Sequence, residues 1–214
     1  MGTSYVLARE GVIPLHGAMT EIMLALGAGP VPVVIAQRDG QPSFVWMTPP
    51  APVCGPVRDD RARVAAALGM AAFDLHDTWP LQVVSTGVPF LYVPVRSRAA
   101  VAACHPDAAA LSALFADGAP ASLLVFSLET IVSEATVHAR MFAPHTMGIP
   151  EDPASGAAAG PLGASLAHDG GLPVVAETRF IIEQRLEMGR PRTIHVAVRW
   201  RDAKIMGPRV GGRP

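Results

Sequence analysis

Asp152, Ser155, Gly156 and Ala157 form the window of this chain whose residue types could hold an anion. Asp152 is followed by Pro153 and then by small residues only, Ala154 to Ala157, ahead of an apolar run; no charged residue occurs from Pro153 to Ala167. The pattern predicts a helix with Asp152 at its N-cap and Pro153 at the first helical position, where a missing N–H costs nothing. Small side chains then leave the first-turn N–H groups uncovered, and such donors at the positive end of a helix attract a carboxylate or a phosphate. The plainer reading is a buried small-residue helix that Asp152 merely caps. Either way, a helix apolar on every face has no solvent side and must be wrapped by other structure.

Other chemistry has less support. Glu151 could act as a base, but beside a helix start an interaction with the helix dipole is the stronger expectation. Ser155 lacks the Gly-x-Ser-x-Gly context of a nucleophile elbow, which argues against a serine hydrolase. His138 and His145 have no carboxylates at metal-binding spacing, so both read as turn or surface residues and no metal is expected. Tyr92 and Trp79 lie in an apolar region and read as core. No Walker-type loop or dinucleotide fingerprint occurs, so no cofactor is implied.

The elements that must position this window belong to a well-buried globular protein. Of the 214 residues, 50% are apolar and only 16% are charged. A net charge of −1 gives no electrostatic reason to expect nucleic acid or an anionic membrane as partner. Cys54 and Cys104 have neither disulfide-framework nor zinc spacing, which suits a reducing cytoplasm. Arg9 and Glu10 arrive before any adequate apolar run, so the start does not read as a signal peptide, and the chain is expected to be soluble.

Along the chain, Thr3 to Glu10 is predicted helical and Gly11 stops it. Strands are predicted over Glu21 to Leu26, Pro30 to Ala36 and Ser43 to Met47, with a turn at Arg38-Asp39-Gly40. Thr48 to Val53, with three prolines, is the best linker. Asp59 or Asp60 should cap a helix through Leu68. Leu81 to Val84 and Phe90 to Val95 should be strands, and Ser97 and Asp107 should cap two short helices, the second ending at Asp117-Gly118. Ser122 to Ser127 and Thr136 to Phe142 precede the apolar helix, which ends near Asp169-Gly170-Gly171. Val174 to Gln184 and Thr193 to Trp200 then form a hairpin, with Ile194, Val196 and Val198 on one face. Many strands with two wrapped helices make an α+β architecture.

Arg140-Met141-Phe142-Ala143-Pro144, followed by Gly148-Ile149-Pro150-Glu151-Asp152-Pro153-Ala154-Ser155-Gly156-Ala157-Ala158-Ala159-Gly160, resembles the second-lobe signature of the phenazine-biosynthesis (PhzF-like) isomerases. Val83 to Val95, Phe44 to Met47, and Glu183-Gln184 with Glu187 to Pro191 agree, in order, over nearly the whole chain. The resemblance implies the diaminopimelate epimerase-like fold: two similar lobes, each a curved sheet around a central helix, with the active site between the two helix starts. It implies residues 1–52 as the remainder of an incomplete first lobe and 53–214 as the second. It further implies a cofactor-independent, cytoplasmic homodimer that moves a proton next to the carboxylate of a small metabolite. Carried over by position, Asp152 is the catalytic-network acid, and Ser155, Gly156 and Ala157 contact the substrate. Ala157 stands where the family has a serine, and Arg185 where it commonly has glycine. The family's glutamate base and Gly-His-Pro turn lie ahead of the residues matched here, so this chain is expected to be inactive by itself. The alternative is a non-catalytic remnant that binds a carboxylate ligand or supports an oligomer.

Overall fold

A computed structural model of the protein describes every residue except 28, 117, 119–121, 144–148, 174, 202–203 and 214. His145, and the expected boundaries at Asp117 and Val174, therefore lie outside the described residues. A short helix, α1 (Gly2–Arg9), opens the chain and ends ahead of Gly11, whose φ is +75°. Three antiparallel strands follow: β1 (Met19–Leu26), β2 (Gly29–Arg38) and β3 (Gln41–Met47). Asp39 and Gly40, both at positive φ (53° and 75°), make the tight β2–β3 turn whose twist matches that of the strands.

The rest alternates strands with short helices. β4 (Val53–Arg58) leads to α2 (Arg61–Ala67), then β5 (Leu81–Ser85) and β6 (Pro89–Pro94). Between β6 and β7 (Leu123–Ser127) lie α3 (Arg98–Ala103) and α4 (Ala108–Leu114). Ser97 and Asp107 cap these two as expected, accepting from the N–H groups of Ala100 and Ala110. β8 (Val137–Ala143) is followed by β9 (Ile149–Asp152), α5 (Gly156–His168), β10 (Glu177–Gln184) and β11 (Arg192–Arg201), and then by β12 (Lys204–Ile205) and β13 (Arg209–Gly212).

Hydrogen bonding runs through one sheet in the order β1-β2-β3-β13-β11-β10-β8-β7-β6-β5-β4. Two pairs are parallel, β6 with β7 and β8 with β10, and each is joined by a crossover carrying helices. Every residue of β7 and β8 is buried because the sheet is covered on both faces there. On one face α5 packs with Tyr92, Met141, Phe180 and Val196; on the other, α2 to α4 pack with Leu91, Val93 and Val125. A third cluster seats α1 on Val33, Ile35 and Val45 of β2 and β3.

Wrapping of α5 is as complete as the charge-free run requires: Ala158 to Ala167 are all buried. Gly163 permits the closest approach, since a Cβ there would lie 2.9 Å from both Val196 Cγ1 and Val198 Cγ2. Pro161 sits inside the helix, and Tyr92 donates its hydroxyl to the Ala158 carbonyl at 2.8 Å. Burial raises the Tyr92 pKa well above its ordinary value, so the hydroxyl keeps the proton it donates.

Candidate active site at the start of the buried helix

The start of α5 differs from the expected cap. Ile149–Asp152 pairs with β8 as a strand, Asp152 opposite Met141, so the chain is still extended at Asp152 and the helix begins at Gly156 with Ser155 in the N-cap position. Asp152 does not cap, and Pro153 is not the first helical residue. Instead the Asp152 carboxylate accepts the Ser155 hydroxyl at 2.6 Å. Gln184, on β10, completes the turn. Its side-chain oxygen accepts the Ser155 N–H at 3.1 Å, and its nitrogen donates to the Asp152 carbonyl at 2.6 Å and to Ser155 Oγ at 3.2 Å.

These bonds turn Ser155 inward, where it is 5% exposed, and leave the donors beyond it uncovered. The Gly156 N–H reaches only the Ala154 carbonyl at 3.2 Å, and those of Ala158 and Ala159 share the Ser155 carbonyl. The Ala157 N–H has no partner among the described residues. A cleft of about 280 Å³ opens at this point. Its floor is Ala154 and Gly156 together with Met1 and Gly2 from the start of α1, so two helix starts meet there. A Cβ on Gly156 would stand 3.2 Å from the flexible tip of Met1, Cε. Arg192 and Thr193 of β11, with Gly211, Gly212 and Arg213, form the opposite wall. No acidic side chain lines the cleft among the described residues.

Of the residues singled out from sequence, only Gly156 lines the cleft; Asp152 and Ser155 are hydrogen-bonded in the turn before it, Ala157 follows it in α5, and Glu151 is elsewhere. In the extended β9 its side chain takes the opposite side from Asp152 and meets Arg140 of β8. Arg140 Nε and Nη2 donate to the two Glu151 oxygens at 3.0 and 2.8 Å. Arg140 Nη1 donates to the carbonyls of Val101, Ala102 and Cys104, capping the end of α3. Burial opposes the Arg140 charge, yet the bonded Glu151 carboxylate outweighs it and holds the pKa above its usual value. Glu151 is therefore neither a free base nor a partner of the α5 dipole.

His138 is also corrected. It is fully buried in β8, not a turn or surface residue, and its ring bridges two carboxylates: Nδ1 to Glu183 and Nε2 to Glu187, each at 2.8 Å. Glu183 in turn accepts the N–H groups of Ile131 and Val132, both at 2.8 Å. Sequence spacing could not show this, because the partners come from a strand 45 residues away and from the turn after it.

Gln184, Arg192 and Arg213 were missed as site residues. Gln184 stood inside a recognised motif, but its contacts require β10 to lie beside the α5 turn. Arg185, next to it, adopts φ +71°, and its Nε is buried with no partner among the described residues. Glycine adopts that backbone freely, whereas a side chain strains it by about 1–2 kcal/mol. Arg185→Gly is therefore expected to raise stability by about 1 kcal/mol, seen as a higher urea midpoint; an unchanged or lower midpoint would count against strain at this position.

No helix among the described residues is long and apolar enough to cross a membrane. The chain is 32% identical over 169 residues to the uncharacterized isomerase YfhB of Bacillus subtilis (strain 168), covering 79% of this chain and 56% of that protein. It shares 29% identity over 201 residues with the trans-2,3-dihydro-3-hydroxyanthranilate isomerase of Pseudomonas aeruginosa, 92% of this chain and 66% of that protein. The chain thus spans between just over half and two thirds of the length of these relatives. The crystal structure of the Bacillus anthracis phenazine biosynthesis protein of the PhzF family matches at TM-score 0.87 and 25% identity, over 99% of this chain and 70% of that one. The α+β architecture expected from the pattern of strands and helices is the fold the chain shares with that structure. With residues 1–213 also matching the PhzC-PhzF family, described as phenazine biosynthesis-like protein, the chain belongs to that family.

Proposed function

We propose that the cleft between the starts of α1 and α5 holds a small metabolite by its carboxylate while a proton is moved to or from the adjacent carbon. The observation that carries this reading is the meeting of two helix starts at a 280 Å³ cleft that Gly156 lines, one residue before an Ala157 N–H with no partner among the described residues. Both helix ends present partial positive charge to the same small volume, which favours a carboxylate and, still more, the enolate-like charge that develops when a neighbouring proton leaves. In this reading α1 and α5 are the central helices of two related lobes. Asp152 and Gln184 are positioning residues: they hold Ser155 inward so that the Gly156–Ala157 backbone faces the ligand. The trans-2,3-dihydro-3-hydroxyanthranilate named for the Pseudomonas relative is a cyclic carboxylate of the size class the cleft suits.

Since no acid lines the cleft among the described residues, the base that takes the proton is assigned to the glutamate of the family's first-lobe motif. The test is deuterium incorporation from heavy water into cyclic and amino-acid carboxylates. It is run on this chain and on a form extended to the relatives' length so that it carries that glutamate and the Gly-His-Pro turn. Exchange by the extended form should exceed that of the 214-residue chain by about 10²–10⁴-fold, the usual contribution of a general base, and Asp152→Ala should reduce it. Robust exchange by this chain that survives Asp152→Ala would sink the site assignment. No exchange by the extended form across the panel would favour a non-catalytic carboxylate binder.

A further inference from the structure

Two arginines stand at the mouth of the cleft, and holding a single carboxylate at α5 uses neither. Arg192 opens β11 and Arg213 follows β13; both line the 280 Å³ cleft and also an adjoining cavity of about 640 Å³. Both are exposed, and neither has a carboxylate partner among the described residues. No acidic side chain lines either cavity among the described residues. Two guanidinium groups that line the same cavity, with no acidic side chain beside them among the described residues, favour an anion placed between them.

The rest of the second cavity is built rather than incidental. Its walls include Phe44, Thr193 and His195. The His195 ring meets Phe44 edge-on at 5.1 Å, and Phe44 in turn leans on Trp46 at 5.0 Å. These rings lie over the bare backbone of Gly211, where a Cβ would come within 2.5 Å of Phe44 and 2.6 Å of Trp46. Burial, and then the charge of Arg213, push the His195 pKa below its ordinary value, so near pH 7 this ring is neutral and the cavity's positive charge comes from the two arginines.

We infer that the substrate carries a second acidic group, a carboxylate or a phosphate-type oxyanion, which Arg192 and Arg213 bind while the first carboxylate sits at the start of α5. The placement of the first carboxylate rests on the proposed function above. Arg192 and Arg213 are then specificity-determining residues that favour dianionic metabolites over monocarboxylates of the same shape.

Isothermal titration of the 214-residue chain tests this. The ligands are succinate, glutarate and adipate, each against its own monoamide, which has the same shape but a neutral far end; the three lengths cover the unknown spacing. 4-Phosphonobutanoate adds the phosphate-type end. At least one acid-ended ligand should bind about tenfold more tightly than its monoamide at low salt, and less so as salt is raised. Whether the carboxylate or the phosphonate shows the larger margin identifies the second group. The margin should vanish in the double variant Arg192→Gln with Arg213→Gln, because the acid-ended ligand then binds no better than its monoamide. Both positions are exposed, so these variants should melt with the parent.

Monoamides that bind with no margin for any acid-ended ligand would overturn the second-group inference and leave the carboxylate site standing. A margin that survives the double variant would also overturn it. Absence of binding by every ligand would remove both readings.

Discussion

Arg140→Met is expected to destabilise the protein by about 3–5 kcal/mol, the usual result of leaving one partner of a buried ion pair behind. The variant strands Glu151, whose two oxygens Arg140 now satisfies, and leaves the Ala102 and Cys104 carbonyls at the end of α3 without their donor. It also removes the guanidinium stacked over Phe142 at 4.8 Å. Adding Glu151→Leu should recover part of the loss, since a charge pair replaced on both sides by apolar groups is often nearly neutral. The carbonyls of Ala102 and Cys104 would still lack a donor, so recovery should stop short of the parent. Urea unfolding of the parent and both variants measures this. A single variant within about 1 kcal/mol of the parent would show that Arg140 is not the strut between β8, β9 and α3.

The second large effect is pH-dependent and centres on His138. Burial disfavours its charge, but Glu187 and then Glu183 outweigh that and raise its pKa above the ordinary 6.5. The Glu187 pKa is lowered from 4.5: burial raises it, but the His138 hydrogen bond and the accompanying charges prevail. Only the imidazolium donates from both ring nitrogens, so deprotonation leaves one of the two carboxylates without its donor. The sign follows. The histidine contribution is fully present below pH 6.5 and is lost as pH rises through the higher folded value. The glutamate contribution is present above pH 4.5 and is lost as pH falls through its lower folded value. Stability from this bridge should therefore be greatest between those two pH values. His138→Asn should cost about 3–5 kcal/mol at pH 6 and abolish the decline on the alkaline side. Parallel stability–pH curves for parent and variant would contradict the bridge.

Features readable from sequence were those decided locally. The charge-free run predicted a wrapped helix, Asp39-Gly40 a tight turn, and Ser97 and Asp107 their caps, because each depends on residues within a few positions. The start of α5 was misplaced by three residues for a tertiary reason: β9 pairs with β8 through Asp152 and keeps the chain extended past the point where a capping rule would begin the helix. Glu151 and His138 were misread for a related reason. Their partners are 11, 45 and 49 residues distant, and spacing along one element carries no trace of them. Gln184 lay in a recognised motif, but its three bonds to the α5 turn exist only once β10 stands beside it. The convergence of Arg192 and Arg213 depends on β13 inserting between β11 and β3, a pairing of distant segments.

The direct measurement of the carboxylate site is the backbone amide spectrum of the isotopically labelled chain titrated with a small monocarboxylate such as the monoamide of glutarate. The Gly156 and Ala157 amides should shift downfield more than any others, and Asp152→Ala should weaken the effect by loosening Ser155. Gly156 and Ala157 amides that do not move while the ligand binds elsewhere would contradict the carboxylate site.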